Sequence, residues 1–110
     1  MKQSRSTARF FIFLYVTCGS EQEAKKIARH LLEKKLIACA NIFPIKSMYW
    51  WRGKIENGSE FVAILKTKEE KYAVVKREIE KIHSYAVPCI IRINVEPNSD
   101  YAAWLEGELA

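Results

Sequence analysis

The spacing of the hydrophobic residues changes several times along the chain, and each change predicts a new element of secondary structure. Residues 10–18 are apolar almost without a break, which predicts a central strand covered on both faces. Apolar residues then recur every three or four positions, so we expect an amphipathic helix. Ser20 and Glu23 form a capping box at its start. The apolar stripe of this helix consists of Ala24, Ile27, Ala28, Leu31 and Leu32.

Residues 36–67 predict a long β-hairpin. Asn57-Gly58 is the strongest hairpin signal, because both turn residues must take positive φ. Folding the chain about this turn pairs Met48–Ile55 with Glu60–Thr67 and leaves the earlier residues of the hairpin without a partner. An unbroken strand over residues 37–55 would span roughly 60 Å, whereas a compact domain of this size is about 34 Å across. We therefore expect the strand either to break or to reach another subunit.

Three residues of the hairpin bear on that choice. Pro44 lacks an amide donor, which predicts a break in the strand. Trp50 and Trp51 are adjacent, so their rings should point to opposite faces, and a lone hairpin cannot bury both. The pair therefore predicts an oligomer, and we assign Tyr49, Trp50 and Trp104 to its interface.

The rest of the chain completes a β-α-β-β-α-β order. A second stripe predicts a helix over residues 68–83, and residues 87–95 form a last strand that Pro88 opens. This order is typical of an α+β ferredoxin-like sandwich, with one antiparallel sheet and both helices on one face. The opposite face still carries aromatic side chains, and uncovered apolar sheet of this kind marks an interface. A short C-terminal helix follows the sandwich and carries Tyr101, Trp104 and Leu105.

Composition and charge narrow the function classes. The chain has 110 residues, which suits one domain over residues 10–110 after a flexible N-terminal extension over residues 1–9. Its net charge of +5 is distributed among mixed Lys, Arg and Glu residues, so nucleic-acid binding is not required. The three cysteines form no CxxC motif, which favours the reducing cytoplasm. The basic and apolar start resembles a signal peptide, but the helix start that follows leaves no cleavage segment, and nothing reaches transmembrane length.

Several motifs follow one another along the chain: residues 36–42 (LIACANI), 49–55 (YWWRGKI), 64–67 (ILKT), 83–88 (HSYAVP), and Asp100-Tyr101 with Trp104-Leu105. In this order they resemble the CutA divalent-cation-tolerance family from about Phe11 to Leu105. The resemblance implies ferredoxin-like protomers in a tight homotrimer, with hairpins that reach around neighbouring subunits. It also implies a role in the tolerance of divalent cations, with copper or another divalent cation as a bound ion and no required cofactor.

The implied trimer is similar in build to the PII signalling proteins. This similarity gives an alternative function, in which the protein is a signalling or scaffold protein. It would then bind a small anionic ligand or an unidentified partner protein at clefts between its subunits.

The chain departs from the family pattern before the last strand. The usual His-Pro-Tyr-Glu-Val-Pro-Glu reads His-Ser-Tyr-Ala-Val-Pro-Cys in residues 83–89. Cys89 stands where a carboxylate is usual, so a role that depends on that carboxylate does not carry over. Arg52 similarly stands where a glutamate commonly precedes the Gly-Lys pair.

Candidate metal ligands follow from the expected topology. The first and last strands of such a sheet are antiparallel neighbours, so Cys18 should meet Cys89, with His83 leading into the last strand. Thiolate and imidazole groups suit copper(I) or zinc, which predicts a metal site of these three residues. Two alternatives remain open. The thiols can simply be packed, as free cysteines often are, or alternation can direct them to different faces and leave His83 as a weak surface ligand.

A second candidate site is a cleft between subunits. Lys66 interrupts an apolar strand near its end, and a buried ammonium must reach solvent or pair with an anion. Lys66, Trp51, Tyr85 and Cys39 would line a cleft for a small anion. In the alternative interpretation, Lys66 extends to solvent at the strand end and Cys39 only packs.

Other function classes fit less well. An RNA-binding module with this element order requires a leading basic residue and flanking aromatic residues in its third-strand signature. In residues 57–64 only Gly58, Phe61 and Val62 fit that signature. A metal chaperone of this fold requires CxxC after the first strand, where Cys18 stands alone. The sequence shows no nucleophile–base pair and no paired carboxylates, so we predict no catalytic function. We expect a cytoplasmic homotrimer with no nucleic-acid or membrane partner.

Overall fold

The computed structural model describes residues 10–110 of the chain, and the predicted extension over residues 1–9 lies outside them. The four strands form one antiparallel sheet in the order β2-β3-β1-β4. The α+β ferredoxin-like order and the C-terminal helix are therefore confirmed. The elements are β1 (Phe11–Cys18), α1 (Glu21–Glu33), β2 (Cys39–Trp51), β3 (Lys54–Lys68), a 3₁₀ turn (Glu69–Lys71), α2 (Tyr72–Ile82), β4 (Ile90–Val95) and α3 (Ser99–Gly107).

α1 begins at the predicted cap, with one difference from the usual capping box. The Glu23 amide donates to Ser20 Oγ at 3.1 Å. Glu23 Oε1 accepts from the Gly19 amide at 3.1 Å instead of reaching the Ser20 amide. Both bonds satisfy amide groups near the helix start, which lack partners within the helix.

The hydrophobic core lies between α1, α2 and one face of the sheet. Alternation along the strands directs every second residue to the helices and the others to the opposite face, called here the open face. α3 lies against the open face, where Tyr101 contacts Lys66. The buried side chains of the core are Ile12, Leu14, Val16, Cys18, Ala24, Ile27, Ala28, Leu31, Ile37, Ala63, Leu65, Val75 and Ile79.

The hairpin turn lies at Arg52-Gly53, so the prediction of a turn at Asn57-Gly58 is wrong. Arg52 and Gly53 have φ of 51° and 82°, the two positive values that a type I′ turn requires. Trp51 pairs with Lys54 across the turn, and Asn57 lies inside β3 opposite Met48. This register gives all 13 residues of β2 a partner in β3. The predicted register would leave the first part of β2 unpaired.

The strand does not break at Pro44, and that prediction is also wrong. Pro44 pairs with Phe61 within a continuous strand, and β2 lies at the edge of the sheet, where a missing donor is tolerated. The long hairpin makes the described part of the chain elongated, with extents of 53 × 28 × 22 Å. Its radius of gyration is 15.5 Å, against about 13 Å for a compact domain of this length. The contact of this hairpin with another subunit stays a prediction.

Because the turn lies at Arg52-Gly53, we expect alanine substitutions at Gly53 and at Gly58 to change stability by different amounts. Gly53→Ala places a Cβ at a φ of 82°, so we expect the free energy of unfolding to fall by about 1–2 kcal/mol. Gly58→Ala is the matched control, because its Cβ would meet only Tyr49 Oη at 4.0 Å. We expect it to change stability by less than about 1 kcal/mol. Urea denaturation at one protein concentration measures both, and a larger loss for Gly58→Ala would contradict this turn.

The last predicted elements begin or end at different residues. The helix predicted over residues 68–83 divides into the 3₁₀ turn and α2, and β4 begins at Ile90 instead of residue 87. Residues 83–89 therefore form a loop, and most of the candidate metal ligands lie in or beside it.

Candidate functional site

His83 holds the loop of residues 83–89 against the end of β1. Its side chain is fully buried. Nε2 donates to the Thr17 carbonyl at 2.8 Å, and Nδ1 accepts from the Tyr85 amide at 3.0 Å. These two bonds require the neutral tautomer with its proton on Nε2. A metal ion can therefore bind His83 only if one of these hydrogen bonds breaks.

Glu23, which lies in α1, holds the same loop in place through a hydrogen bond. Its Oε2 accepts from the Ser84 amide at 2.8 Å and lies 3.6 Å from His83 Nδ1. Burial alone would raise the pKa of Glu23. The hydrogen bonds from Ser84 and Gly19 outweigh burial and hold the pKa below its ordinary value of 4.5. The carboxylate therefore stabilises the loop in its charged form.

This arrangement predicts a pH dependence of stability. Because folding lowers the pKa of Glu23, its contribution is present above pH 4.5 and is lost as the pH falls through the lowered value. Glu23→Gln keeps an acceptor but removes the charge, so we expect a Tm about 4–8 °C lower at neutral pH. The difference should shrink as the pH falls below 4.5 and through the lowered pKa of Glu23. Thermal denaturation across this range measures it.

Glu33→Gln is the matched control for this experiment. Glu33 also lies in α1, but its one ion pair within residues 10–110 is an exposed one with Arg29 at 3.9 Å, and such pairs contribute little. We expect its Tm to follow that of the wild type at every pH. A Glu23→Gln deficit that stays constant down to low pH would contradict the role of the charge.

Tyr85 joins the loop to the hairpin through Glu60. The Tyr85 hydroxyl donates to Glu60 Oε2 at 2.7 Å, and the Ser47 hydroxyl donates to Glu60 Oε1 at 2.6 Å. Burial and then the hydrogen bond to Glu60 raise the pKa of Tyr85, so the phenol remains a neutral donor. One carboxylate thus connects β2, β3 and the loop.

Cys18 is an unfavourable metal ligand in this fold. Its side chain is buried in the core. Burial raises the pKa of its thiol to about 12, and the negative charges of Glu23 and Glu60 add to this effect. The thiolate, which is the form that binds metals, is therefore strongly disfavoured.

Cys89 lies near the end of β1 but on the other side of the sheet from Cys18. β4 begins with Ile90 paired with Val16, and extending this register by one residue places Cys89 opposite Thr17. Thr17 and Cys18 are adjacent in a strand, so their side chains point to opposite faces. Topology therefore brings the predicted residues to one end of the sheet, but alternation separates the two thiols.

The described residues contain no preformed metal site. No three His, Cys, Asp or Glu side chains within residues 10–110 are placed to hold a metal ion together. Binding by Cys18, His83 and Cys89 stays a prediction, and it requires His83 and Cys18 to leave their present contacts.

The residues of the predicted cleft lie in different parts of the sheet. Lys66 pairs with Cys39 at one end of the hairpin, whereas Trp51 pairs with Lys54 beside the turn. The stretch of β3 between Lys54 and Lys66 spans about 40 Å, and Tyr85 contacts β3 between these positions. Only Lys66 and Cys39 are neighbours within one protomer, so a cleft of all four residues requires more than one chain.

The residues assigned to the subunit interface are exposed in the protomer. Trp50 is 72 % exposed, and Tyr49, Trp51 and Trp104 are also exposed. Trp50 and Trp51 occupy successive positions of β2, so their rings point to opposite faces as predicted. Their contact with another subunit stays a prediction.

The open face adds a second uncovered surface. Phe43, Ile91 and Ile93 are exposed on it, although all three are large and apolar. β2 and β4 are the two edges of the sheet, and within residues 10–110 neither has a strand partner on its outer side. Apolar patches and free edges of this kind are typical of surfaces that other chains cover.

This fold and these surfaces define a class: a small ferredoxin-like protein whose sheet, within residues 10–110, leaves both edges and part of one apolar face uncovered. The family model described as "CutA1 divalent ion tolerance protein" matches residues 12–108. The chain therefore belongs to the CutA1 family, which confirms the resemblance seen in the sequence.

Curated relatives support the same family. The "Divalent-cation tolerance protein CutA" of Archaeoglobus fulgidus is 50% identical over 95 residues, which cover 86% of this chain and 93% of that protein. The protein of the same name from Pyrococcus horikoshii is 45% identical over 98 residues, which cover 88% and 96%. None of these names denotes a catalytic activity.

Solved structures of the family share the fold. One is described as the periplasmic divalent cation tolerance protein CutA from Archaeoglobus fulgidus, with a TM-score of 0.88 and 48% identity over 91% of this chain and 99% of that chain. CutA1 from Pyrococcus horikoshii has a TM-score of 0.87 and 43% identity over 90% and 98%. In the part of this chain that the structure describes, no helix is long and apolar enough to cross a membrane.

Proposed function

We propose that this protein acts in divalent-cation tolerance as a homotrimer, with copper as its ion. The family match over residues 12–108 carries the proposal, since relatives covered over almost their full length are named for divalent-cation tolerance. The open face and the two free sheet edges support the trimer, because exposed apolar residues and strand edges are typical of surfaces that other chains cover. Three free thiols support a place in the reducing cytoplasm.

Cys89 is the thiol best placed to bind copper first. It is half-buried at the end of the loop and directly precedes β4, and thiolates are ligands that copper(I) prefers. Cys18 is buried with a raised pKa, and both His83 nitrogens are already hydrogen-bonded. We therefore propose Cys89 as the primary ligand. His83 joins only after the loop rearranges, and Cys18 only after it leaves the core.

An anaerobic copper(I) titration against a competing chelator tests this proposal. We expect Cys89→Ser to bind copper at least about tenfold more weakly than the wild type. Cys39→Ser is the matched control, since Cys39 is the other half-buried thiol, and it should bind as the wild type does. The triple variant of Cys18, His83 and Cys89 should lose the remaining affinity.

Two results would contradict the copper site. If the wild type and Cys89→Ser bind copper with equal affinity and stoichiometry, Cys89 is not a copper ligand. If the wild type binds no copper but has the mass of a trimer, the signalling or scaffold alternative would be favoured instead.

A further inference from the structure

At the end of the sheet farthest from the hairpin turn, the lysine Lys66 has no ion-pair partner within residues 10–110. Lys66 lies on the open face, where it pairs with Phe13 of β1 and Cys39 of β2. Its Nζ lies 5.4 Å from the ring centroids of Phe13 and Tyr101, within the range of a cation–π interaction with both. Within residues 10–110, Lys66 forms no ion pair with a carboxylate.

The hydrogen-bonding capacity of this ammonium is largely unused. It has three donors, and its one hydrogen bond within the described residues goes to Tyr101 Oη at 3.5 Å, which is long. Lys66 is half-buried, so water replaces the missing partners only in part. Lys68, two residues further along the same face, pairs with both Glu70 and Glu106. Among the described residues of this face, two carboxylates therefore pair with Lys68 and none pairs with Lys66.

The walls of the site come from three different elements. Phe13 is fixed in β1 by its pairing with Lys66 and with Ile93 on the other side. Tyr101 is held by α3, which is anchored by the buried Leu105. Rigid elements therefore hold the two rings on either side of the Lys66 ammonium. Such a site is preorganised for a ligand, because little side-chain entropy is lost on binding.

We propose that Lys66, Phe13 and Tyr101 form a binding site for an oxyanion, a carboxylate or phosphate group. The Lys66 ammonium supplies the charge, the Tyr101 hydroxyl supplies a second donor, and the two rings limit access to one small charged group. The group belongs either to a free small molecule or to a second copy of this chain. The site shares no residue with the proposed copper ligands, so each proposal can fail without the other.

Calorimetric titration with inorganic phosphate and with acetate tests the free-ligand source. We expect the wild type to bind at least one of them with a Kd of about 1 mM, and Lys66→Met to bind at least about tenfold more weakly. Lys54→Met is the matched control, because Lys54 is an exposed lysine of the same strand beside the turn. It should bind as the wild type does, and Tyr101→Phe should bind several-fold more weakly.

Sedimentation at decreasing protein concentration tests the second source. If another copy supplies the oxyanion, the wild type binds neither added anion, and Lys66→Met dissociates where the wild type and Lys54→Met stay assembled. Lys66→Arg keeps the charge and should stay assembled.

The proposal is overturned if Lys66→Met changes neither anion binding nor assembly, or if all variants bind the anions equally. Lys66→Gln replaces Lys66→Met in both experiments if circular dichroism shows that Lys66→Met does not fold.

Discussion

Replacing Ile91 with glutamate is expected to convert the assembled protein into folded monomers. Ile91 is 50 % exposed on the open face, where it pairs with Tyr15. If another chain covers this face, the new carboxylate is buried there without a partner, at a cost on the order of 3–5 kcal/mol. Ile91 is not part of the core between the sheet and the helices. The protomer itself should therefore remain folded.

Light scattering coupled to size exclusion measures this effect, with circular dichroism to confirm folding. Ala73→Glu is the matched control, because Ala73 is exposed on α2, on the side of the sheet away from the open face. It adds the same charge and should leave the assembly intact. An Ile91→Glu protein with the mass and Tm of the wild type would show that the open face is not an interface.

The largest loss of stability within the protomer is expected from Leu31→Ala. Leu31 is fully buried in the core, and removing a buried leucine side chain costs about 2–5 kcal/mol through lost transfer energy and a residual cavity. Its neighbour Leu32 is 40 % exposed, so Leu32→Ala should cost less than about 1 kcal/mol. Both variants replace leucine with alanine in α1. They differ only in whether the residue lies on the buried or the exposed face of the helix.

Urea denaturation of both variants at one protein concentration tests this comparison. A loss for Leu32→Ala that matches or exceeds the loss for Leu31→Ala would contradict the orientation of α1 against the sheet. A change in the slope with urea would instead indicate that the denatured or native state has changed its compactness.

Local patterns in the sequence predict most of the elements but not the hairpin turn. The continuous apolar run of β1 and the cap of α1 depend on neighbouring residues, so the sequence contains their signals directly. Asn57-Gly58 is a stronger local turn signal than Arg52-Gly53. The latter forms the turn because its register pairs every residue of β2 with β3. That advantage is spread over the whole hairpin and is not visible at either dipeptide.

The candidate site is predictable in position but not in chemistry. Topology correctly brings His83 to the end of β1, because antiparallel neighbours must meet there. The burial of Cys18 and the second contacts of Glu23 and Glu60 depend on tertiary packing. Glu23 carries a capping signal in the sequence, but nothing local indicates that its other oxygen holds Ser84.

The surroundings of Lys66 could not be predicted for the same reason. Its interruption of an apolar strand is a visible signal, and Lys66 is half-buried in the structure. Its two aromatic neighbours come from β1 and α3, far apart in the sequence. Only the fold shows that Lys66 lies beside two rings and forms no ion pair with a carboxylate within residues 10–110.

The molar mass of the wild-type protein in solution tests the central claim most directly, which is that other copies of the chain cover the open face and the sheet edges. Light scattering should give three times the 12.8 kDa mass of one chain, and this value should persist on dilution to about 1 μM, as expected for a large apolar interface. A mass of one chain across the same concentrations would contradict the account, because the open face would then be exposed to water in the functional protein.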